Sequence, residues 1–395
     1  MDRAELDALL TPEGLRLVDE AGAIDSTDAV ASAVSRLRAA GHSPQLVSAV
    51  VGQARLRTRA RQKFGAFADR MLFTRAGLEQ ATRLEVGARH AGRFRDAGVT
   101  RVADLGCGIG GDALALAGIG LDVLAVDADE ITSALAAYNL APFGDGVSVR
   151  SSRAEDVDLT GIDAVWLDPA RRTAGHGETT RVGADDWSPP LDWVFGLSAR
   201  LPAGIKLGPA FDRSLIPDDA EAQWISVDGS TIELVVWTGI LARPGVRRAA
   251  LVIRGGQAAE LVASGDAPDA PVRGLGAYLH EPEGAVIRAR LIGEVARTIG
   301  AGMLDQRIAY LTSDAPASSP FVQTFRVREQ LPNDIKALGR ALRDRGIGTL
   351  EIKKRGVDID PAVLRTKLKP SGAESATLFV TRIGNTRTTL LADRV

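Results

Sequence analysis

The chemistry in this chain is concentrated in one stretch, Arg101-Val-Ala-Asp-Leu-Gly-Cys-Gly-Ile-Gly-Gly-Asp112. A short apolar run (Val102, Ala103, Leu105) breaks into Gly106, Gly108, Gly110 and Gly111, then enters an alanine- and leucine-rich segment, which reads as strand, glycine loop, helix. Glycine removes the Cβ that would hold a ligand away from backbone N–H groups, and a helix N-terminus adds to their pull. The spacing of Gly106, Gly108 and Gly111 satisfies the dinucleotide fingerprint, so the glycines alone leave a nicotinamide cofactor and S-adenosylmethionine both open. The flanking charges divide them. Asp104 and Asp112 bracket the loop where a dinucleotide would place its anionic pyrophosphate, whereas S-adenosylmethionine brings an ammonium and a sulfonium. About twenty residues further on, the run Leu121–Val126 ends in Asp127, placed to accept from both ribose hydroxyls. A third apolar run, Ala164-Val-Trp-Leu167, ends in Asp168-Pro169. Three strands that each close on an acid describe the ligand crevice of an open α/β sheet.

Other residues gather around this crevice. Glu155 and Asp156 follow the expected third strand, Val147–Arg150, where an acid reaches the adenine amino group. Gln80 and Thr82 lie in Phe73–Thr82, just upstream of the first strand; they would either bond the methionine carboxylate or cap the helix starting at Leu84. Asp168 and Pro169 would end strand four beside the methyl group, and the planar forks of Arg171 and Arg172 suit a phosphate or a base edge. Cys107 fits the loop by its small size, with no histidine near it in sequence. It is the one cysteine, and the four histidines (His42, His90, His176, His280) have no zinc spacing, so neither a disulfide nor a metal is expected.

The positioning elements follow from periodicity. Residues 1 to about 95 carry apolar residues at helical spacing, with Ser43 and Pro44 opening a long helix. Its Arg55, Arg57, Arg59, Arg61 and Lys63 are either an RNA-facing rim or a solvated face. Residues 98–240 alternate strand and helix signals, the pattern of a doubly wound parallel sheet. Ile205–Pro209 is the fifth strand, and Asp228-Gly-Ser230 joins the last two as a hairpin. Beyond Thr238, Ala285–Val295 reads as one helix and Ser313–Pro320 as a linker. The tail alternates strand and helix, ending in a strand at Ala376–Thr381. Lys353, Lys354 and Arg355 follow the strand Thr349–Ile352 into a turn that would present three cations to phosphates.

Length and charge bound the possibilities. A chain of 395 residues, 45% of them hydrophobic, is expected to form two or three domains with large cores. No apolar stretch reaches the ~18–20 residues that span a bilayer, and the N-terminus lacks a signal-peptide layout, so a cytoplasmic protein without a membrane is expected. Net charge is −2, but Phe325–Val395 holds 15 Lys+Arg against 8 Asp+Glu, a balance of +7 that leaves −9 for the rest. A basic terminal module on an acidic body suggests a nucleic-acid partner.

Asp104–Asp112, Asp127 and Trp166-Leu-Asp-Pro-Ala-Arg-Arg-Thr173, with Leu350-Glu-Ile-Lys-Lys-Arg-Gly-Val357, Asp360–Arg365 and Thr377–Arg382, resemble the bacterial class I methyltransferases that carry a C-terminal THUMP-like domain. Phe73–Thr82 followed by the glycine loop is more distantly similar to the trimethylguanosine synthase group. Two departures stand out. The fourth strand ends in Asp168-Pro-Ala-Arg171 rather than D/N-P-P-aromatic, and Arg153 stands where an acid is common, which leaves adenine to Glu155 or Asp156. The resemblance implies an α/β fold: an N-terminal helical region (1–95), a Rossmann-like cofactor domain (96–245), a connecting region (246–324) and a small α+β THUMP-like domain (325–395). It implies an S-adenosylmethionine-dependent enzyme methylating a nucleotide in RNA. The alternatives are a small-molecule or protein acceptor, or a fold kept for RNA binding without turnover. Oligomeric state is not legible.

Overall fold

The computed structural model describes residues 1–171 and 187–395, so the expectations on Arg172 and Thr173 lie outside the described residues. The chain divides into two compact units, Met1–Leu207 with Val236–Ala242, and Gly208–Val235 with Arg243–Val395.

The first unit opens with α1 (Arg3–Leu9), α2 (Pro12–Ala21), α3 (Thr27–Ala39) and α4 (Pro44–Phe64), packed around Leu6, Leu9, Val18, Leu37, Val47 and Val50. Each helix begins where its sequence offers a cap: Thr11, Ser26 and Ser43 accept from the backbone N–H groups of Gly14, Ala29 and Leu46, and Pro12 and Pro44 occupy first turns. The short α5 (Arg75–Gln80) and then α6 (Leu84–Asp96) lead into the sheet. There β1 (Arg101–Leu105), α7 (Gly111–Gly118), β2 (Asp122–Asp127), α8 (Glu130–Leu140), β3 (Val147–Ser151) and β4 (Ala164–Leu167) alternate as expected. Two residue pairs, β5 (Ala170–Arg171) and β6 (Trp187–Ser188), precede α9 (Leu191–Ser198) and β7 (Ala203–Leu207). The strands are parallel in the order β7-β4-β1-β2-β3. The order reverses between β1 and β4, and such a switch point opens the crevice at the carboxyl ends of the strands.

In the second unit β8 (Glu221–Val227) turns through Asp228 and Gly229, with φ of 47° and 83°, into β9 (Ser230–Trp237), whose last two residues are counted with the first unit. Two positive φ values match the right-handed twist of paired strands, so the Asp-Gly signal marks the hairpin correctly. Next come β10 (Arg248–Arg254) and β11 (Gln257–Ala263), antiparallel to each other, with β10 parallel to β8. After β12 (Tyr278–Pro282) the helix expected over Ala285–Val295 is two, α10 (Gly284–Arg288) and α11 (Ile292–Thr298). Arg290 between them takes φ 60°, which no continuous α-helix holds.

The remaining elements are β13 (Gly302–Asp305), β14 (Ile308–Ser313), β15 (Val322–Leu331), α12 (Ile335–Asp344), β16 (Ile347–Lys354), α13 (Pro361–Leu368), β17 (Glu374–Ile383) and β18 (Thr386–Arg394). They form a seven-stranded sheet in the order β13-β14-β12-β15-β18-β17-β16. This corrects the linker expected at Ser313–Pro320: β14 and β15, on either side of that segment, both pair with β12. Its Ser, Ala and Pro content marks a loop within one sheet. Thr324 Oγ1 bonds Ala317 O at 2.7 Å, and Ser313 Oγ bonds Ala315 O at 2.6 Å.

Candidate active site

Strand register sets the layout of the site. Leu105 of β1 is level with Val126 of β2 and Leu167 of β4, so the residues that follow, Gly106, Asp127 and Asp168, leave the sheet side by side. Gly106 has φ 95°, and a Cβ there would lie 3.0 Å from the carbonyl oxygen of Asp168. The position therefore requires glycine for its backbone angle and for the close approach of the β4 exit.

Above the loop lies the segment ending in α5. Asn139 of α8 ties the two together: its side chain donates to Leu72 O (3.0 Å) and Ile109 O (2.9 Å) and accepts from Leu72 N (2.7 Å). Lys63 holds the far end, donating to the carbonyls of Leu78, Glu79 and Ala81 at 2.7–2.8 Å, a cation at a helix C-terminus. Phe73–Thr82 thus packs on the glycine loop. Burial, and then the charge of Lys206, lowers the Lys63 pKa.

Beneath the loop is a buried polar network that sequence reading recovered only in part. Asp112, 7% exposed, accepts from Thr82 Oγ1 at 2.7 Å and meets His90 Nδ1 at 3.0 Å. Lys206 of β7 bonds Asp168 Oδ2 at 2.5 Å and Thr82 Oγ1 at 3.0 Å, and stands 3.8 Å from Asp112 Oδ2. Burial alone would raise the Asp112 pKa, but the His90 bond and the Lys206 charge outweigh it and bring it to about 2. The capping alternative for Thr82 falls away, since Arg83 is the cap residue of α6; the Thr82 hydroxyl donates to Asp112.

Asp104 is the opposite case. It is 1% exposed, and neither carboxylate oxygen has a hydrogen-bond partner among the described residues. Burial first, then the charges of Asp112 and Asp168, raise its pKa well above 3.8. An unpartnered buried carboxylate under a glycine loop fits a ligand that supplies a cation, as S-adenosylmethionine does with its ammonium. Asp127 is half-buried and accepts from Gly108 N at 3.0 Å and Asp129 N at 2.9 Å, which keeps its two oxygens level with the loop.

The other expected residues lie around this centre. Glu155 and Asp156 form a single turn after β3, with Glu155 paired to Arg153 at 2.8 Å and Asp156 exposed. Gln80 is exposed at the end of α5. Pro169 and Arg171 follow β4, Arg171 within β5. Cys107 is buried, and burial raises its thiol pKa, the setting of a structural rather than a reactive cysteine.

Lys206 and His90 were missed. Lys206 interrupts the buried run Ala203-Gly-Ile-Lys-Leu207, and a lone lysine at the carboxyl end of such a strand is the signal that would have found it. His90 lies on the apolar face of α6 with Val86 and Phe94 and stacks on Trp166 at 4.5 Å between ring centroids.

Two sequence expectations about cations change. Lys353 and Lys354 close strand β16 and are not a turn. Lys353 pairs with Glu281 at 2.5 Å and Glu351 at 3.3 Å, and Arg355 lies 3.7 Å from Glu281, so an acid on β12 already balances two of the three; Lys354 is exposed. In α4, Arg57 is buried and bonds Met71 O and Asp19, and Lys63 is committed to the α5 carbonyls; Arg55 and Arg59 are exposed. That face is structural in part.

A parallel sheet with this strand order, a glycine loop after β1 and acids at three strand ends is the architecture of a Rossmann-like methyltransferase. Comparison with known proteins agrees. The chain is 33% identical over 358 residues to a protein of Mycobacterium tuberculosis named as an uncharacterized S-adenosylmethionine-dependent methyltransferase, the match spanning 88% of this chain and 95% of that one. A crystal structure named as a methyltransferase from Porphyromonas gingivalis W83 superposes with a TM-score of 0.70 at 21% identity, over 94% of this chain and 99% of the other. Residues 322–394 match the THUMP domain-like family, and residues 2–60 match a domain of unknown function. The chain belongs to the S-adenosylmethionine-dependent methyltransferases. S-adenosylmethionine is its cofactor and the source of the methyl group.

Proposed function

We propose that the methyl acceptor is a nucleotide in RNA, bound through the THUMP-like part of the second unit and methylated at the β4 edge of the crevice. The observation that carries this reading is the outer surface of α12 and α13. The two helices bury Leu338, Leu342, Leu364 and Leu368 in one core. Lys336, Arg340 and Arg343 are exposed at successive turns of α12, with Arg365 and Lys367 on α13. Such a cationic face suits a phosphate backbone.

In this reading Asp104 faces the cofactor ammonium, Asp127 accepts from the ribose hydroxyls, the loop N–H groups of Gly106 and Gly108 line the cofactor, and Glu155 or Asp156 meets the adenine. Methyl transfer from a sulfonium needs little acid–base assistance, so rate depends on holding the acceptor in line. Asp168 does this at the end of β4, beside Pro169. Lys206 is a positioning residue: its bond to one Asp168 oxygen fixes the carboxylate at the edge of the crevice. A base in a duplex would have to be flipped to reach it.

Incubation with labelled cofactor and total RNA from a strain lacking the protein, followed by digestion, identifies the methylated nucleoside. Label found only in protein or small-molecule fractions would overturn the RNA reading in favour of those acceptors.

A further inference from the structure

The seven-stranded sheet of the second unit curls until turns from its two ends meet. In the β13–β14 turn, the Asp305 carboxylate accepts from the backbone N–H of Arg307 at 2.8 Å and from that of Gly384, in the β17–β18 turn, at 2.7 Å. Ile308 lies so close to Gly356, just beyond β16, that a Cβ there would come within 2.1 Å of Ile308 Cδ1. These turns and the segment Val272–Gly274 surround a cavity of about 690 Å³.

Two chemistries meet in its lining. Leu304 and Ile308, both buried, offer an apolar floor, and Arg273, Arg307 and Arg382 bring three cations. The acid among them, Asp305, has both oxygens engaged by backbone N–H groups. Arg273 bonds Asp314 at 2.5 Å, whereas Arg307 and Arg382 form no ion pair among the described residues. The amides of Gln306 and Asn385 complete the polar side. A cavity of this size, open to solvent on one side, has room for a nucleotide-sized ligand. A duplex keeps its bases stacked inside and would offer such a cavity only its backbone. Unstacked bases, by contrast, are what proteins read in single-stranded RNA.

We propose that this cavity captures one unpaired nucleotide of the RNA substrate, with its base on the Leu304–Ile308 floor and its flanking phosphates on Arg307 and Arg382. This rests on the reading of RNA as acceptor. It gives the turns between β12 and β15, outside the THUMP-like match, a part in holding substrate.

Binding by the full-length protein decides it, with a labelled single-stranded RNA of about ten nucleotides as probe and a blunt RNA duplex of the same sequence beside it. Arg307→Glu and Arg382→Gln should each weaken single-strand binding about tenfold, the effect of losing one charge-assisted contact. Gln306→Glu should weaken it in the same direction, and duplex binding and cofactor affinity should change by less than about threefold. Arg307 and Gln306 are exposed turn residues, so their variants decide the question even if Arg382→Gln fails to fold. Unchanged single-strand affinity in both turn variants overturns the pocket and leaves the RNA reading standing. Equal losses on the duplex also overturn it, since the arginines would then be a general basic surface. Wild-type protein that binds neither probe overturns the pocket and the RNA reading together.

Discussion

Around the glycine loop the ionisable groups are drawn inward and set against one another: Asp112 is charged between His90 and Lys206, Asp168 is held by Lys206, and Asp104 has no hydrogen-bond partner among the described residues. On α12 and α13 the cations stand in solvent with their helices' leucines buried behind them. Charges buried in this way have large, short-range effects that salt barely screens, whereas exposed ones act additively and fade with ionic strength. The two regions therefore differ in consequence: changes in the first should alter chemistry and cofactor binding at any salt, and changes in the second should alter RNA affinity in proportion to salt.

The largest effect should come from the Lys206–Asp168 pair. Asp168→Ala removes the group proposed to position the acceptor, and Lys206→Met frees it while leaving Asp112 without its nearest lysine. Each should lower kcat by about 100-fold or more, since misplacement of about 1 Å costs that much. Cofactor affinity in Asp168→Ala should stay within a few-fold. Single-turnover kinetics with saturating cofactor check this, and full activity in both variants would make the pair structural.

Next come the two acids expected to touch the cofactor. Asp127→Ala and Asp104→Asn should each weaken S-adenosylmethionine binding by about 1.5–3 kcal/mol, the range for a charge-assisted bond. Asp104→Asn should also stabilise the protein without cofactor. Its folded-state pKa is raised, so its cost to stability grows as pH rises above 3.8, and the gain of the variant should vanish below about pH 4. Asp112 has the opposite sign: its pKa is depressed to about 2, so its stabilisation is present above pH 3.8 and is lost as pH falls toward 2. Denaturant titrations across pH 2–7 separate the two. A further readout is calorimetric. If the cofactor ammonium converts protonated Asp104 to carboxylate, binding should release a proton, seen as buffer-dependent heat; heat independent of the buffer would break the pairing.

Much of this site was legible in sequence because its signals are local. Gly106, Asp104, Asp127 and Asp168 each stand next to a buried run that ends at them, and the register of β1, β2 and β4 does the rest. What was not legible depends on residues far apart in the chain. Thr82, His90, Asp112 and Lys206 come from four segments, and nothing local tells a helix-facing histidine from a core one. The same holds in the second unit. Glu281, which balances Lys353, lies 72 positions away on β12, so a count of charges after Phe325 could not see it. The seven-stranded sheet was missed as a whole for the same reason: β12 pairs with both β14 and β15, and a loop rich in Ser, Ala and Pro looks like a linker until its flanking strands are seen to share a neighbour.

The smallest effect should come from the string that looked most basic. Lys353 and Arg355 are set against Glu281, which leaves Lys354 as the one exposed cation of the three. Lys354→Ala should reduce the slope of log K against log salt by about 0.7, one single-strand phosphate contact. The variant lacking Lys353, Lys354 and Arg355 should show no larger change in slope. It should instead lose stability, because Glu281 would be left half-buried without its cations. Replacing Lys336, Arg340 and Arg365 should reduce the slope by about 2. Filter binding across a salt series distinguishes the cases. If the β16 triple variant loses the larger slope while its denaturation midpoint holds, phosphate contact belongs to the end of β16, and the ion pairs with Glu281 open when RNA binds.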